Sequence, residues 1–324
     1  MARIVRIDQT GGPEVIQWVD KDLPPPSEGE VRIRTTAVGL NFIDVYHRRG
    51  SYKLPLPTGL GSESVGVVEA VGPGVTGFAE GDRVGTFGPE RGAYATHRNL
   101  PADHLSKLPD MVDDATAAAL MLKGSTVEFL VERCARVEAG QTVLVHAAAG
   151  GVGHLLVGWL KAVGATVIGT VGSADKAARA AKAGADHVIR HKSEDVVARV
   201  AEITGGKGCA VVFDGVGKAT WAQSLDCAAK RGLIVSFGSA SGPVEGVALA
   251  TLAVKGSLFV TRPTLFDYVV TREERQQVID RVFAMLGQGV IAPGIGQTFK
   301  LEDVAEAHRR LEAGETEGAT VLLP

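Results

Sequence analysis

The sequence contains few cysteines, and none of them is close to another along the chain. Its 324 residues include three cysteines, Cys134, Cys209 and Cys227, without a CxxC spacing. A disulfide framework or a zinc site built from clustered thiolates needs more cysteines, or cysteines nearer to one another. We therefore expect free thiols and a protein of the reducing cytoplasm.

An excess of one charge and long apolar stretches are also missing. The 34 basic and 37 acidic side chains leave a formal net charge of −3. Nucleic acids and anionic membranes bind strongly basic surfaces, and a helix that spans a bilayer needs about 20 apolar residues. Here the apolar stretches are short, and the first residues, MARIVRIDQTGG, lack the apolar core of an export signal. The composition argues against partners such as nucleic acid or a membrane.

The pattern of apolar residues predicts two domains, which also suits a chain longer than one hydrophobic core comfortably holds. Residues 31–37 have the period-two pattern of a half-buried strand. Further strand-like runs at 64–71, 83–86 and 93–98 are separated by turns rich in glycine and proline. The first third is therefore expected to be a β-rich domain.

The middle of the chain has a different rhythm. From residue 141 to about 261, six short apolar runs alternate with helical segments, which is typical of βαβ units in a doubly wound parallel sheet. The tail then departs from this alternation, with amphipathic helices predicted at 273–288 and 301–311 and a strand at 319–323. We infer that the tail returns to complete the first domain.

Glycine is abundant, at 41 residues, and it is concentrated in one turn of functional interest. The segment 143–156 reads VLVHAAAGGVGHLL, so that Gly150, Gly151 and Gly153 follow the first strand of the alternation and precede an apolar helix. Small residues allow a backbone to approach a pyrophosphate, which the first amides of the helix then bind. Ala148 stands where the usual motif has its first glycine. The alternative is a tight strand-to-helix turn that binds no ligand, but its position in the alternation favours a dinucleotide.

The end of the second strand indicates which dinucleotide is bound. Enzymes that use NAD place an acidic residue there to bind the ribose hydroxyls, whereas this strand ends in Gly172 and Ser173. Lys176 follows, and Arg190 and His191 follow the third strand. Basic side chains at this place, together with the missing acidic residue, favour binding of the 2′-phosphate of NADPH. Lys176 could instead be an ordinary lysine in the first turn of the next helix.

Several motifs, taken together and in order, carry a family resemblance. They are GGPEV (11–15), NFID (41–44), HAAAGGVG (146–153), SFGSASG (236–242) and the TRP that follows SLFV (261–263). Nearly from end to end, the chain resembles the zeta-crystallin-type quinone oxidoreductases, the zinc-lacking branch of the medium-chain dehydrogenase/reductase superfamily. This resemblance implies an α/β protein with a GroES-like β-barrel catalytic domain (1–123 and 266–324) and a Rossmann domain with a six-stranded parallel sheet (124–265). It also implies a homodimer that pairs edge strands near residues 257–261.

The resemblance further implies which residues contact the coenzyme through their backbone or side chains. They are Asn41, Phe42, Tyr46, Gly150, Gly151, Val152, Gly153, Gly172, Ser173, Lys176, His191, Phe237, Gly238, Ser239, Ala240, Pro263, Thr264 and Leu265. His191 stands where the family often has a tyrosine for the 2′-phosphate, and an imidazole can also donate to a phosphate.

The residues at the zinc positions of related dehydrogenases predict that no metal is bound. Asn41 and Ser62 stand where those enzymes have cysteine and histidine, and both are poor ligands for Zn²⁺. Hydrogen-bond donors must then stabilise the developing oxyanion. The candidate catalytic residues are Tyr46 and Tyr52, with Asn41 holding the ribose or the carbonyl. Either tyrosine could instead only pack the domain.

Three functions are compatible with these features. The first is NADPH-dependent reduction of a small quinone, by one or two electrons. The second is reduction of another conjugated carbonyl, an enone or alkenal, by the same fold and coenzyme. The third is a non-enzymatic role in RNA binding or as a structural protein, against which the intact glycine turn and the absent basic stripe argue. The sequence alone does not separate the first two.

Overall fold

Both ends of the chain meet in one structural unit, and the middle of the chain forms a second. The computed structural model describes residues 1–88 and 90–324. The first unit comprises Met1–Ser125, Val270–Phe283 and Pro293–Pro324, and the second comprises Thr126–Val269 and Ala284–Ala292. The segment Ala284–Ala292, which we expected in the first unit, belongs to the second. There it passes so close to the helix Gly151–Val163 that a Cβ on Gly158 would lie 2.8 Å from the Val290 carbonyl oxygen.

The elements are numbered in chain order. The strands are β1 (Ala2–Arg6), β2 (Gln17–Lys21), β3 (Glu30–Leu40), β4 (Glu63–Val71), β5 (Arg83–Phe87), β6 (His97–Pro101), β7 (Ser106–Lys107), β8 (Thr142–Val145), β9 (Thr166–Val171), β10 (His187–Arg190), β11 (Cys209–Asp214), β12 (Ala228–Ser236), β13 (Phe259–Thr261), β14 (Ile295–Lys300) and β15 (Ala319–Leu323). The α-helices are α1 (Phe42–Arg49), α2 (Asp114–Glu128), α3 (Gly151–Val163), α4 (Ala174–Lys182), α5 (Val196–Thr204), α6 (Trp221–Cys227), α7 (Leu249–Val254), α8 (Leu265–Tyr268), α9 (Arg272–Gly287) and α10 (Val304–Glu312). A π-helical turn, Phe129–Cys134, continues α2. Every helix of the described residues is too short or too polar to cross a membrane.

The first unit is the GroES-like domain, and it is organised around the long strand β3. Its seven-stranded sheet has the order β14-β15-β3-β4-β5-β7, and β6 also pairs with β3. The predicted period-two pattern is confirmed, because Val31, Ile33, Thr35 and Ala37 are all buried. The pairing of β15 with β3 places the last strand of the chain beside a strand from its first third.

The second unit is the expected Rossmann domain. Its six strands are all parallel, in the order β10-β9-β8-β11-β12-β13, with helices between successive strands. Both faces of the central strands are covered, so Leu144, Ile168, Val212, Phe213 and Ile234 have no exposed surface. The carboxyl ends of β8, β9, β10, β12 and β13 lead into the segments predicted to bind the coenzyme.

A buried ion pair joins α1 to α10 in the first unit. Arg48 donates from Nη2 to Glu312 Oε2 at 2.6 Å, from Nη1 to His308 Nδ1 at 2.9 Å and from Nε to the Gly11 carbonyl at 3.1 Å. Its neighbour Arg49 is exposed to solvent, and its Nε lies 2.5 Å from the other carboxylate oxygen of Glu312. Burial, followed by the charge of Arg48, lowers the pKa of His308 to about 3. The imidazole is therefore neutral and accepts from Arg48.

Substituting these two arginines separately is expected to give unequal losses of stability. Arg48→Met leaves Glu312 largely buried without its main partner, which costs about 3–5 kcal/mol of unfolding free energy. The matched control Arg49→Met removes a side chain that is 58% exposed against 0% for Arg48, so it is expected to cost less than about 1 kcal/mol. Urea unfolding measures both. Equal losses would contradict the assignment of the buried pair as the link between α1 and α10.

Candidate functional site

The glycine-rich turn between β8 and α3 is shaped by close backbone contacts. Ala147 has a left-handed conformation (φ 53°), and its carbonyl accepts the Gly150 amide at 2.9 Å. A Cβ on Gly153 would lie 2.2 Å from the same carbonyl oxygen, so this position needs glycine. Gly150 is the N-cap of α3 and, as a glycine, has no side-chain oxygen to cap the helix. The first amides of a helix lack carbonyl partners within the helix, and this turn therefore offers N–H donors to an anion.

The carboxyl end of β9 lies in a basic environment. His191 donates its amide to the Val171 carbonyl at 3.0 Å, which brings its side chain alongside Gly172. A Cβ on Gly172 would lie 3.3 Å from His191 Nε2 and 3.7 Å from Lys192 Cε. Ser173 caps α4 by accepting the amide of Lys176 at 3.3 Å. A carboxylate at position 172 would contact these basic side chains, whereas glycine leaves the space beside them to an anionic group of a ligand.

A buried polar network supports the turns that follow β8 and β11. His146 contacts Thr170 Oγ1 through Nδ1 at 3.0 Å and Ser224 Oγ through Nε2 at 3.2 Å. Ser224 donates its hydroxyl to Asp214 Oδ2 at 2.7 Å. Since a hydroxyl has one hydrogen, Ser224 accepts from His146 Nε2–H, and Nδ1 accepts from Thr170. Burial lowers the pKa of His146, which agrees with this neutral tautomer.

Asp214 holds the turn after β11 in place. Its Oδ1 accepts the amides of Val216 and Gly217, each at 2.9 Å. A Cβ on Gly238 would lie 2.3 Å from the carbonyl oxygen of Gly215. The predicted contact residues 237–240 are thereby pressed against the turn that Asp214 shapes. Sequence reasoning missed Asp214, and its position at the end of a strand that leads into a glycine-containing turn is the signal that could have identified it.

Residues 263–265 follow the edge strand β13. Thr264 is the N-cap of the short helix α8, and Leu265 is buried. The preceding Arg262 donates to the Ser236 carbonyl at 2.7 Å and lies 3.4 Å from Ser239 Oγ. This arginine ties the segments after β12 and β13 together, so that two of the predicted contact segments are held by one side chain.

Asn41 lies at the junction of β3 and α1 in the first unit, where it is buried. Its amide nitrogen Nδ2 donates to Glu63 Oε2 at 2.8 Å and to the Gly39 carbonyl at 3.2 Å. Its backbone N–H donates to Asp44 Oδ2 at 3.1 Å, which fixes the start of the helix. Glu63 also accepts the Leu122 amide at 2.6 Å, so the same carboxylate holds the backbone of α2.

The aromatic side chains predicted at the site form a cluster on and beside α1. The ring centroids of Phe42 and Tyr46 are 5.7 Å apart, and those of Tyr46 and Tyr52 are 5.2 Å apart in an edge-to-face arrangement. His47 adds a fourth ring 6.0 Å from Tyr52. Arg91 donates to His47 Nε2 at 3.1 Å, and burial lowers the pKa of His47 to about 4. The structure thus brings Asn41, Phe42, Tyr46 and Tyr52 onto one helix and the loop that follows it.

Ser62, at the second predicted position of a lost zinc ligand, belongs to a hydrogen-bond network. Its hydroxyl donates to Asp44 Oδ1 at 2.7 Å, and Tyr94 donates to Asp44 Oδ2 at 2.9 Å. Burial raises the pKa of Asp44 to about 6, although both hydroxyls act in the opposite direction. Among residues 1–88 and 90–324, no group of three or more His, Cys, Asp or Glu side chains is placed to hold a metal ion.

Comparisons with known proteins agree with this architecture. The model of the alcohol dehydrogenase GroES-like domain matches residues 27–110, and that of the zinc-binding dehydrogenases matches residues 151–285. A quinone oxidoreductase of Pseudomonas aeruginosa is 50% identical, over 100% of both chains. A 2-haloacrylate reductase of Burkholderia sp is 44% identical, over 98% of each. The crystal structure of Escherichia coli quinone oxidoreductase complexed with NADPH superposes with a TM-score of 0.97 at 45% identity, covering 100% of both chains.

Two glycines of the turn, Gly150 and Gly153, are expected to differ in their tolerance of a methyl group. Gly153→Ala places a Cβ against backbone, so the turn must shift, at a cost of about 1–3 kcal/mol. In Gly150→Ala the Cβ would lie 3.2 Å from the Ala147 carbonyl oxygen, and we expect a loss below about 1 kcal/mol. Thermal unfolding of the two variants tests this. A Gly153→Ala protein as stable as Gly150→Ala would show that the turn does not need the close contact.

Proposed function

The chain belongs to the quinone oxidoreductases of the medium-chain dehydrogenase/reductase superfamily, and on that premise we propose that it reduces a small quinone with NADPH, without a metal ion. The observation that carries the proposal is the carboxyl end of β9, where His191 and Lys192 surround a glycine and no carboxylate takes its place. The glycine turn supports the same proposal, because its backbone is shaped to approach a phosphate.

The described residues fit the dinucleotide at both of its charged groups. We assign the pyrophosphate to the turn Gly150, Gly151, Val152 and Gly153, and the 2′-phosphate to Gly172, Ser173, Lys176 and His191. Residues 237–240 and 263–265, which Arg262 ties together, are assigned to the rest of the coenzyme. When it is bound, the dihydronicotinamide supplies the hydride. The fold supplies the orientation and the charges that hold it.

The first unit supplies hydrogen-bond donors for the substrate. When a hydride adds to a quinone, an electron pair moves onto a quinone oxygen, which becomes an oxyanion and then takes a proton. We assign the hydroxyls of Tyr46 and Tyr52 as donors to that oxygen, because the two rings pack together on and beside α1 and Tyr52 is 38% exposed. Asn41 and Ser62 already bind Glu63 and Asp44, so these positions serve hydrogen bonding and not metal binding.

A second candidate is reduction of a conjugated carbon–carbon double bond. The observation that favours it is the 2-haloacrylate reductase, which at 44% identity is more similar to this chain than several quinone oxidoreductases at 34%. A panel of 1,4-benzoquinone, 9,10-phenanthrenequinone and 2-alkenals, each assayed with NADPH, separates the two functions. We expect the quinones to be reduced faster, and alkenal turnover above that of both quinones would favour the second candidate.

We also propose a homodimer formed through β13. This strand lies at the edge of the parallel sheet, and its residues Phe259 and Val260 are 62% and 38% exposed. The helix α7, which precedes it, has no buried residue. An apolar edge strand needs a cover, and pairing with its copy across a two-fold axis provides one. Light scattering is expected to give twice the mass of one chain, and the mass of a single chain at micromolar concentration would refute the dimer.

A cytoplasmic location remains part of the proposal. Burial raises the pKa of Cys209 and of Cys227 to about 12, so both thiols stay protonated and unreactive in the folded protein. These free cysteines suit a reducing compartment. Recovery of the protein in an exported fraction would contradict the proposed location.

The preference for NADPH is expected to depend on Lys176. A charge-assisted hydrogen bond to a phosphate contributes about 1.5–3 kcal/mol, or about ten- to hundred-fold in affinity. NADPH should therefore bind at least about tenfold more tightly than NADH, and Lys176→Ala should remove much of that ratio while it leaves NADH binding nearly unchanged. Fluorescence titration measures both dissociation constants. Lys182→Ala, at the other end of the same helix, is the matched control and should keep the preference.

Two outcomes would contradict this assignment. Equal dissociation constants for NADPH and NADH in the unmodified protein would show that the basic end of β9 does not select the 2′-phosphate. A Lys176→Ala protein that binds both coenzymes more weakly by the same factor would show that the lysine only stabilises α4.

The tyrosines are expected to act on turnover more than on coenzyme binding. Removal of one oxyanion donor lowers turnover by about ten- to thousand-fold in enzymes that depend on it, and we expect Tyr46→Phe or Tyr52→Phe to lower quinone turnover at the lower end of that range. Steady-state kinetics, with the NADPH dissociation constant as the internal control, checks this. Wild-type turnover in both variants would show that the two tyrosines only pack the domain.

A further inference from the structure

Glu63 is a buried carboxylate to which the proposed reaction assigns no role. It has no exposed surface, and in the described structure its oxygens receive the Leu122 amide at 2.6 Å, the Asn41 amide at 2.8 Å and the Lys123 ammonium at 3.5 Å. Lys123 is itself nearly buried and supplies the opposite charge. Burying an ion pair costs free energy. Holding the backbone alone does not explain that cost, so the contact of Glu63 with the Asn41 side chain requires an explanation.

The carboxylate determines which way the Asn41 amide faces. An ionised carboxylate can only accept hydrogen bonds, so the atom that faces Glu63 must be the nitrogen of the amide. The same nitrogen also lies 3.2 Å from the Gly39 carbonyl oxygen, which can likewise only accept. Both hydrogens of the amide are therefore directed at protein acceptors. The carbonyl oxygen Oδ1 accepts the backbone N–H of Asp44 in the capping box of α1, and its second lone pair is all that the side chain offers to a ligand. Asn41 can therefore act towards a ligand only as an acceptor.

This restriction separates the two ligands of the proposed reaction. A quinone carbonyl is an acceptor and has no hydrogen to give to Oδ1. The coenzyme carries ribose hydroxyls and a carboxamide, which are donors. We propose that Glu63 is a positioning residue, which holds Asn41 as a hydrogen-bond acceptor for the coenzyme. The proposal rests on the proposed use of NADPH and on the predicted contact of Asn41 with that coenzyme, and it removes Asn41 from the residues that could hold the quinone carbonyl.

The surroundings of Glu63 leave the carboxylate little freedom to move. A Cβ on Gly39 would lie 2.1 Å from Glu63 Oε2 and 2.2 Å from the Ala118 carbonyl oxygen. The carboxylate is thus packed against the backbone of β3, with α2 on the other side of the same glycine. In Glu63→Gln the new amide can donate as well as accept, and Asn41 can then turn its own Oδ1 towards residue 63. The acceptor that faces the coenzyme would be replaced by a donor.

A double-mutant cycle tests whether Glu63 acts through Asn41. The NADPH dissociation constant is measured by fluorescence titration for the unmodified protein, Glu63→Gln, Asn41→Ala and the double variant. We expect each single substitution to weaken binding by about three- to tenfold, the value of one hydrogen bond. The double variant should bind like Asn41→Ala alone, because Glu63 has no further effect once the amide is gone.

Stability is measured in parallel, so that a structural effect is recognised. Asp114→Asn is the matched control, since it makes the same carboxylate-to-amide change in the same unit, next to Arg83 at 2.5 Å. It should lower the unfolding temperature and leave the NADPH dissociation constant unchanged. If Glu63→Gln does not fold because Lys123 loses its counter-charge, the neutral pair Glu63→Gln with Lys123→Gln takes its place in the cycle.

The outcomes separate this inference from the proposed function. If Asn41→Ala leaves NADPH binding unchanged, the assignment of Asn41 to the coenzyme is wrong and the inference is overturned with it. If Asn41→Ala weakens binding but Glu63→Gln does not, or if the two effects multiply in the double variant, the coenzyme assignment stands and the positioning role of Glu63 is refuted.

Discussion

Two buried carboxylates, Asp44 and Glu63, determine how α1 begins, and the position of the aromatic cluster on this helix depends on that start. Asp44 accepts the backbone N–H of Asn41, and Glu63 accepts its side-chain amide. With both contacts made, the helix leaves β3 in one direction and carries Tyr46 with it. The cost of burying two carboxyl groups is offset by hydroxyl, amide and ammonium partners.

The Rossmann unit uses the same strategy at the carboxyl edge of its sheet. Thr170, His146, Ser224 and Asp214 form a continuous chain of hydrogen bonds beneath the turns after β8, β9 and β11. Because the imidazole is neutral and its tautomer is fixed by Ser224, His146 adds no positive charge beneath these turns. Lysine side chains lie after β9 and β10, at Lys176 and Lys192.

Sequence patterns predicted the parts of this structure that local chemistry controls. The period-two burial of β3, the six parallel strands and the basic residues around Gly172 follow from spacing and residue type alone. The networks were not predictable in this way. Arg48, His308 and Glu312 meet although about 260 residues separate them, and no local pattern places Glu63 against Asn41. The placement of Ala284–Ala292 in the second unit likewise depends on a tertiary contact at Gly158 that no local pattern encodes.

The central claim is that NADPH reduces a quinone on this protein without a metal ion. Its most direct test is the oxidation of NADPH by 1,4-benzoquinone on chelator-treated, metal-free protein, followed at 340 nm together with formation of the hydroquinone. We expect NADPH to be consumed, the quinone to be reduced in proportion to the NADPH oxidised, and the rate to equal that of untreated protein. No NADPH oxidation with any quinone, or a rate that returns only when Zn²⁺ is added, would contradict it.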